Sequence, residues 1–293
     1  MRVDVRRAGG IAARLLLRAG PLAIMLAAGP AGAETLLERG AYLMNGIAAC
    51  GNCHTPKGGP MAGRELAGGM KFDEEPFTVF APNITPDRET GIGAWTDEQL
   101  IAAIRDGRKP DGSLVRPPMP IMFYRNISDR DVRALVAYMR TVAPTRHAVP
   151  REATYRIPLP PSYGPPVKAV PDVPKSDKVA YGKYLADVGH CLECHTPMGP
   201  GGHDMARAGA GGNAFEGPWG VSVAANITPD AETGIGKWTD AEIKRAITTG
   251  VRRDGTKLKP PMAFDAYKNI SDDDLDALVA FLRSLKPVTN RTR

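Results

Sequence analysis

Cys50, Cys53 and His54, and again Cys191, Cys194 and His195, place two thiols three residues apart with a histidine directly after the second. On a helical turn, residues three and four apart share a face. Both thiols of a segment therefore reach the two vinyl groups of one porphyrin, while the adjacent imidazole turns toward its iron. Cys-x-x-Cys-His is the attachment pattern of a c-type haem, and the chemistry it brings is one-electron redox. Cysteine pairs alone also suit disulfides, with three pairings open to four cysteines, or a zinc site of two Cys-x-x-Cys knuckles. Neither accounts for a histidine after each pair, and all 4 cysteines of the chain are used. The expected cofactors are two covalently bound haem c groups, attached at Cys50, Cys53, Cys191 and Cys194, with His54 and His195 as iron ligands.

The rest of the chain must supply two matching pockets, and it is visibly duplicated. Asn83-Ile84-Thr85-Pro86-Asp87, Glu89-Thr90-Gly91-Ile92-Gly93 and Trp95-Thr96-Asp97 recur 143 residues later, from Asn226 to Asp240. The same offset carries Pro117-Pro118-Met119 onto Pro260-Pro261-Met262 and Asn126-Ile127-Ser128 onto Asn269-Ile270-Ser271. The cysteine segments are 141 apart, so two residues are gained between segment and repeat block. A period of this length predicts two small globular domains rather than a solenoid. The predicted boundaries are a leader over 1–33, a first domain over 34–149, a proline-rich linker over 150–174 and a second domain over 175–293. Pro158, Pro160, Pro161, Pro165 and Pro166 favour an extended, semi-rigid spacer, and Tyr155 and Tyr163 mark it as a strap packed across both domains.

Each copy reads as helical, an all-α class. A first helix from Glu34 to about Ala49 leads into the first cysteine segment, and Lys178 through Leu185 do the same in the second copy. Thr96 with Gln99, and Thr239 with Glu242, form capping boxes; Gly107 and Gly250 stop those helices. Ser128 and Ser271 cap a last helix with Val132, Leu135, Val136 and Met139, or Leu275, Leu278, Val279 and Leu282, on one face. Strand-like alternation is almost absent.

The duplication also selects the second iron ligand. Met61, Met70, Met119, Met122 and Met139 are candidates in the first copy, but Met70 maps to Asn213 and Met122 to Asp265, whereas Met119 maps to Met262. Both follow Pro-Pro, which holds the chain extended. Met119 and Met262 are therefore the expected distal ligands, giving two six-coordinate His/Met irons with raised potential and no open position. His147, His190 and His203 are the rivals, none of which recurs.

Arg2, Arg6, Arg7, Arg14 and Arg18 surround an apolar run from about Leu15 to Ala28, and Ala31-Gly32-Ala33 supplies a small-x-small cleavage site, which predicts an exported chain starting near Glu34. Removing the five leader arginines and Asp4 takes the formal charge from +6 to +2. The basic character belongs to the leader, which argues against nucleic acid as a partner. No later segment is long and apolar enough to span a bilayer, so no transmembrane anchor is expected in the mature chain.

Gly40-x-Tyr42-Leu43, Cys53-His54-Thr55-Pro56, the Asn-Ile-Thr-Pro-Asp block with Thr-Gly-Ile-Gly-x-Trp-Thr-Asp, and Pro-Pro-Met followed by Asn-Ile-Ser-Asp resemble the cytochrome c subunits of periplasmic alcohol, gluconate and aldehyde dehydrogenases. The resemblance implies two tandem class I-like cytochrome c domains, a periplasmic location, a dehydrogenase as electron donor, and a cytochrome or terminal oxidase of the respiratory chain as acceptor. It also implies that the Pro82 and Ala225 carbonyls fix the two histidines. Two roles stay open for Asn83, Thr85, Trp95, Asn226, Thr228 and Trp238: contact with the haem propionates or edge, or service as turn and core residues. Those subunits commonly carry three haems and a C-terminal anchor; this chain has two haem segments and ends in polar sequence at Arg293. A different class of function, a dihaem peroxidase or thiosulfate-oxidising cytochrome, requires an iron with an open or labile position.

Overall fold

The computed structural model describes Met1 and residues 34–199 and 201–292, so the leader predicted to end at Ala33 lies outside the described residues apart from Met1. Glu34–Arg293 form one compact unit. The first copy runs α1 (Leu36–Asn45), α2 (Gly51–His54), β1 (Lys71–Glu74), β2 (Phe77–Phe80), α3 (Asp97–Arg105), α4 (Ile121–Tyr124) and α5 (Asp129–Thr141). After β3 (Thr154–Tyr155), the second copy runs α6 (Lys178–Val188), α7 (Cys191–His195), β4 (Met198–Gly199), β5 (Gly202–His203), β6 (Ala214–Gly217), β7 (Gly220–Val223), α8 (Asp240–Thr249), α9 (Phe264–Tyr267) and α10 (Asp272–Ser284).

Local chemistry sets the helix ends. Thr96 Oγ1 accepts from Gln99 N at 3.2 Å, and the Gln99 side chain accepts from Thr96 N at 2.9 Å. Thr239 and Glu242 repeat that reciprocal cap, and Thr35 with Glu38 adds a third ahead of α1. Ser128 and Ser271 cap α5 and α10. Gly107 (φ +62°) and Gly250 (φ +66°) take the left-handed conformation that ends α3 and α8. The first helix is shorter than its sequence pattern suggests. It ends at Asn45, and a turn with Ala49 at φ +47° re-aims the chain before Cys50.

The core of each copy is its first helix crossed on its last, α1 on α5 and α6 on α10. Leu43 and Met44 meet the Val132, Leu135, Val136 and Met139 stripe, all buried. Gly40 and Gly182 permit the close crossing, since a Cβ there would collide with the Ala134 and Ala277 carbonyls.

The helical frame carries small sheets that the all-α expectation omits. β1 pairs antiparallel with β2 in the register Lys71 to Phe80 through Glu74 to Phe77, and β3 adds to β2. β4 pairs with β5 and β6 with β7. Four-residue strands such as Phe77-Thr78-Val79-Phe80 are too short for period-two alternation to stand out from chance in a sequence.

Residues 150–174 lie mainly against the first copy. Tyr155 Oη donates to Pro117 O at 2.8 Å, Tyr163 Oη to Val115 O at 2.9 Å, and Arg125 to Pro165 O at 2.6 Å. Just after the strap, at the start of the second copy, Lys175 Nζ lies 3.3 Å from Asp274. The copies are joined by a reciprocal pair: Tyr42 Oη donates to Asp274 at 2.7 Å and Tyr184 Oη to Asp131 at 2.6 Å. Asn126 donates to Asp187 at 2.9 Å and Asn269 to Asn45 O at 2.8 Å. Among the described residues, no helix is long and apolar enough to cross a membrane.

Candidate haem-binding site

Each cysteine segment is a single helical turn closed by its own backbone. His54 N donates to Cys50 O at 3.0 Å, and the turn brings Cys50, Cys53 and His54 onto neighbouring positions. None of the four cysteines is paired in a disulfide, which leaves all four for thioether attachment.

The two imidazoles are set identically. His54 is 8% and His195 9% exposed. Nδ1 of His54 lies 2.9 Å from Pro82 O and Nδ1 of His195 lies 2.7 Å from Ala225 O, the two carbonyls implied by the resemblance. A carbonyl only accepts, so Nδ1 carries the proton and Nε2 presents its lone pair. Burial lowers both imidazole pKa values, against the opposing effect of the carbonyl bond, and so favours the neutral ligating form.

Glycines bring those carbonyls close. Gly68 N donates to His54 O at 2.8 Å and Gly211 N to His195 O at 2.7 Å. Gly68 has φ +71° and Gly211 φ +70°, and a Cβ at either would collide with Pro82 or Ala225. Thr55 and Thr196 add a brace, their hydroxyls accepting from Leu66 N at 3.0 Å and Gly209 N at 3.3 Å. Gly68, Gly211 and Thr196 stand outside the motifs singled out in the sequence, although Gly68 and Gly211 recur at the 143 offset.

A cavity of about 2020 Å³ spans both copies. Cys53, Cys191, Cys194, His195, Met119, Met262, Asn226 and Trp238 line it, whereas Cys50, His54, Asn83, Thr85, Thr228 and Trp95 are not on its wall. Met119 and Met262 are part-buried against the core, after Pro-Pro peptides that are both cis. Asn83 and Thr85 spend their polar atoms on the turn: Thr85 N and Oγ1 donate to Asn83 Oδ1 at 2.9 and 2.8 Å, and Asn83 Nδ2 donates to Thr145 O at 2.8 Å. Asn226 and Thr228 repeat this with Val288 O. Those bonds suit the turn role. Trp95 and Trp238 are partly buried, and their carbonyls accept from Arg140 and Arg283 at 2.6 and 2.7 Å.

The rival histidines have other partners. His147 Nδ1 meets Ala67 O at 2.9 Å, a position filled in the second copy by Asn290, which donates to Ala210 O at 2.9 Å. His203 Nε2 meets Glu193 O at 2.8 Å, and His190 Nδ1 lies 3.1 Å from the Glu193 carboxylate.

These residues fit haem c. Paired thiols share a turn with a neutral, carbonyl-anchored imidazole, and the cavity of about 2020 Å³ is about twice the upper end of the roughly 300–1,000 Å³ of a single small-molecule site. Residues 37–143 and 179–286 each match the Cytochrome c family. The chain is 34% identical over 278 residues to the cytochrome c subunit of alcohol dehydrogenase (quinone) from Gluconobacter oxydans, covering 87% of this chain and 56% of that one. It is 32% identical to the gluconate 2-dehydrogenase cytochrome c subunit of Pantoea cypripedii, covering 92% of this chain and 64% of that one. A diheme cytochrome c-type protein of Cereibacter sphaeroides is 32% identical, with 82% of each chain covered. This chain thus spans about 56% to 64% of the length of the two dehydrogenase subunits. With two matched domains and two complete thioether-histidine segments, the chain belongs to the cytochrome c family and carries two covalently bound haem c groups.

Proposed function

We propose that the chain is an electron-transfer subunit or carrier, taking electrons from a periplasmic dehydrogenase and passing them to a cytochrome or terminal oxidase of the respiratory chain. The observation that carries this reading is that Met119 and Met262, at matching positions of the two copies, line one cavity with Cys53 of the first segment and Cys191, Cys194 and His195 of the second. Bound haem c supplies a one-electron ferric/ferrous couple. Cys50 and Cys53 tether one group, Cys191 and Cys194 the other; His54 and His195 hold the proximal side of each iron, and Met119 and Met262 the distal side. Two closed sites suit electron exchange and leave no position for a substrate. The named activities of the relatives favour a dehydrogenase donor, and the arginine-flanked apolar run with the small-residue site before Glu34 favours export with leader removal. The domain division at 34–149, 150–174 and 175–293 belongs to the same reading.

The test is kinetic. Reduced dehydrogenase mixed with the oxidised protein should reduce both haems rapidly, and turnover with peroxide or thiosulfate should be negligible. With a formal mature charge near +2, salt should change the rate only moderately, because local patches rather than a global field guide the encounter. Substantial thiosulfate or peroxide turnover that is lost on changing an axial residue would replace this reading with the enzyme.

A further inference from the structure

The two Pro-Pro-Met loops are equivalent in sequence but are held differently. In the first copy, Val115 O accepts from Tyr163 Oη at 2.9 Å, Pro117 O from Tyr155 Oη at 2.8 Å, and Arg116 donates to Pro160 O at 2.8 Å. Three consecutive residues ahead of Met119 are thus fastened to the strap. The equivalent residues of the second copy are Leu258, Lys259 and Pro260. Among the described residues no side chain donates to Leu258 O or Pro260 O, and Lys259 Nζ reaches Val221 O at 3.3 Å.

The second loop has another fastening. Asn52 Nδ2, inside the first cysteine segment, donates to Pro261 O at 2.9 Å, one residue before Met262. Its orientation is fixed, because Lys57 Nζ donates to Asn52 Oδ1 at 2.9 Å and leaves the amino group facing Pro261. At the 141 offset Asn52 corresponds to Glu193. Among the described residues no side chain donates to Pro118 O, and the Glu193 carboxylate lies 3.1 Å from His190 Nδ1 instead.

We propose that each distal loop is positioned by chain outside its own copy: the Met119 loop by Tyr155 and Tyr163 of the strap, and the Met262 loop by Asn52 of the opposite haem segment. This rests on Met119 and Met262 being the distal ligands. A thioether binds iron weakly unless its backbone is held in place, so partners one to three residues away tune the bond as outer-shell groups tune other metal sites. The second site therefore responds to the first segment, and the reciprocal link is missing.

The experiment uses the full holoprotein and the methionine-to-ferric-iron charge-transfer band, with haem potentials from spectroelectrochemical titration. Met262→Ala protein reports the Met119 site alone, and Met119→Ala protein the Met262 site alone. Tyr155→Phe with Tyr163→Phe should weaken the remaining band and lower its potential in Met262→Ala protein, and change neither in Met119→Ala protein. Asn52→Leu, isosteric but without the donor, should do the reverse. Intact mass confirms that every variant keeps both covalent haems. Variants that leave their assigned band intact, or that weaken both bands alike, overturn the positioning roles while methionine ligation stands. If Met119→Ala and Met262→Ala proteins each retain both bands, ligation and positioning fall together.

Discussion

At Gly68 the backbone turns to φ +71° against the Pro82 carbonyl that receives the His54 ring proton, and its own N–H binds His54 O at 2.8 Å. A methyl group there must displace Pro82 or leave the left-handed region, so Gly68→Ala is expected to cost roughly 1–3 kcal/mol. It should also shift the potential of the first haem, because the carbonyl sets the basicity of the imidazole. Gly58→Ala is the control: no atom lies within 4 Å of its Cβ position. Denaturant unfolding with a redox titration checks both effects, and a Gly68→Ala protein equal to Gly58→Ala in stability and potential would refute them. The cysteines and histidines are legible in the sequence because attachment requires fixed local spacing. Gly68 is not, because its role lies in a backbone conformation and a neighbour 14 residues away.

Among the elements, the α1–α5 crossing contains a charge whose replacement in the other copy is instructive. Arg39 donates to both Asp131 oxygens at 2.9 and 2.7 Å, with both side chains buried. The residue equivalent to Arg39 is Tyr181, and there Lys175, at the start of the second copy, brings the cation to Asp274 instead. Arg39→Met should cost about 3–5 kcal/mol by leaving Asp131 buried and uncompensated; a loss under about 1 kcal/mol would reduce the pair to the worth of a surface bridge. Burial would raise the Asp131 pKa, but the Arg39 bonds outweigh it and hold the carboxyl below the usual range. Its contribution is therefore present above the unfolded carboxylate value near 4 and is lost as pH falls through the lower folded value. Without Arg39 the same burial raises the Asp131 pKa in the variant, so the gap in urea midpoint between the wild type and Arg39→Met should be widest near pH 7 and narrow as pH falls and protonation relieves the buried charge. Helix caps and apolar stripes were legible because three- and four-residue spacing reports them. The Tyr42–Asp274 link was not, because its partners are 232 residues apart.

For the whole molecule, duplication predicts two domains, two cytochrome c domains match, and in the structure they pack as one compact unit around a cavity to which both contribute. Tyr42 and Tyr184 each cross to a first-turn carboxylate of the other copy's last helix, and Met119 and Cys53 share the cavity wall with Cys194, His195 and Met262. A repeat offset cannot convey this, since it fixes which residues correspond and says nothing about which of them face each other. If the cavity is shared, loss of one haem must weaken both copies. Cys191→Ala with Cys194→Ala should give a protein with one covalent haem by intact mass. It should melt below the wild type by more than the roughly 2–4 °C that 1 kcal/mol is worth in chains of this size class. The melt should be a single transition, with the remaining haem absorbance and the far-ultraviolet helix signal changing together. A remaining haem that reports its own transition at the wild-type midpoint would mean that the copies stand independently and that the cavity binds them only in geometry.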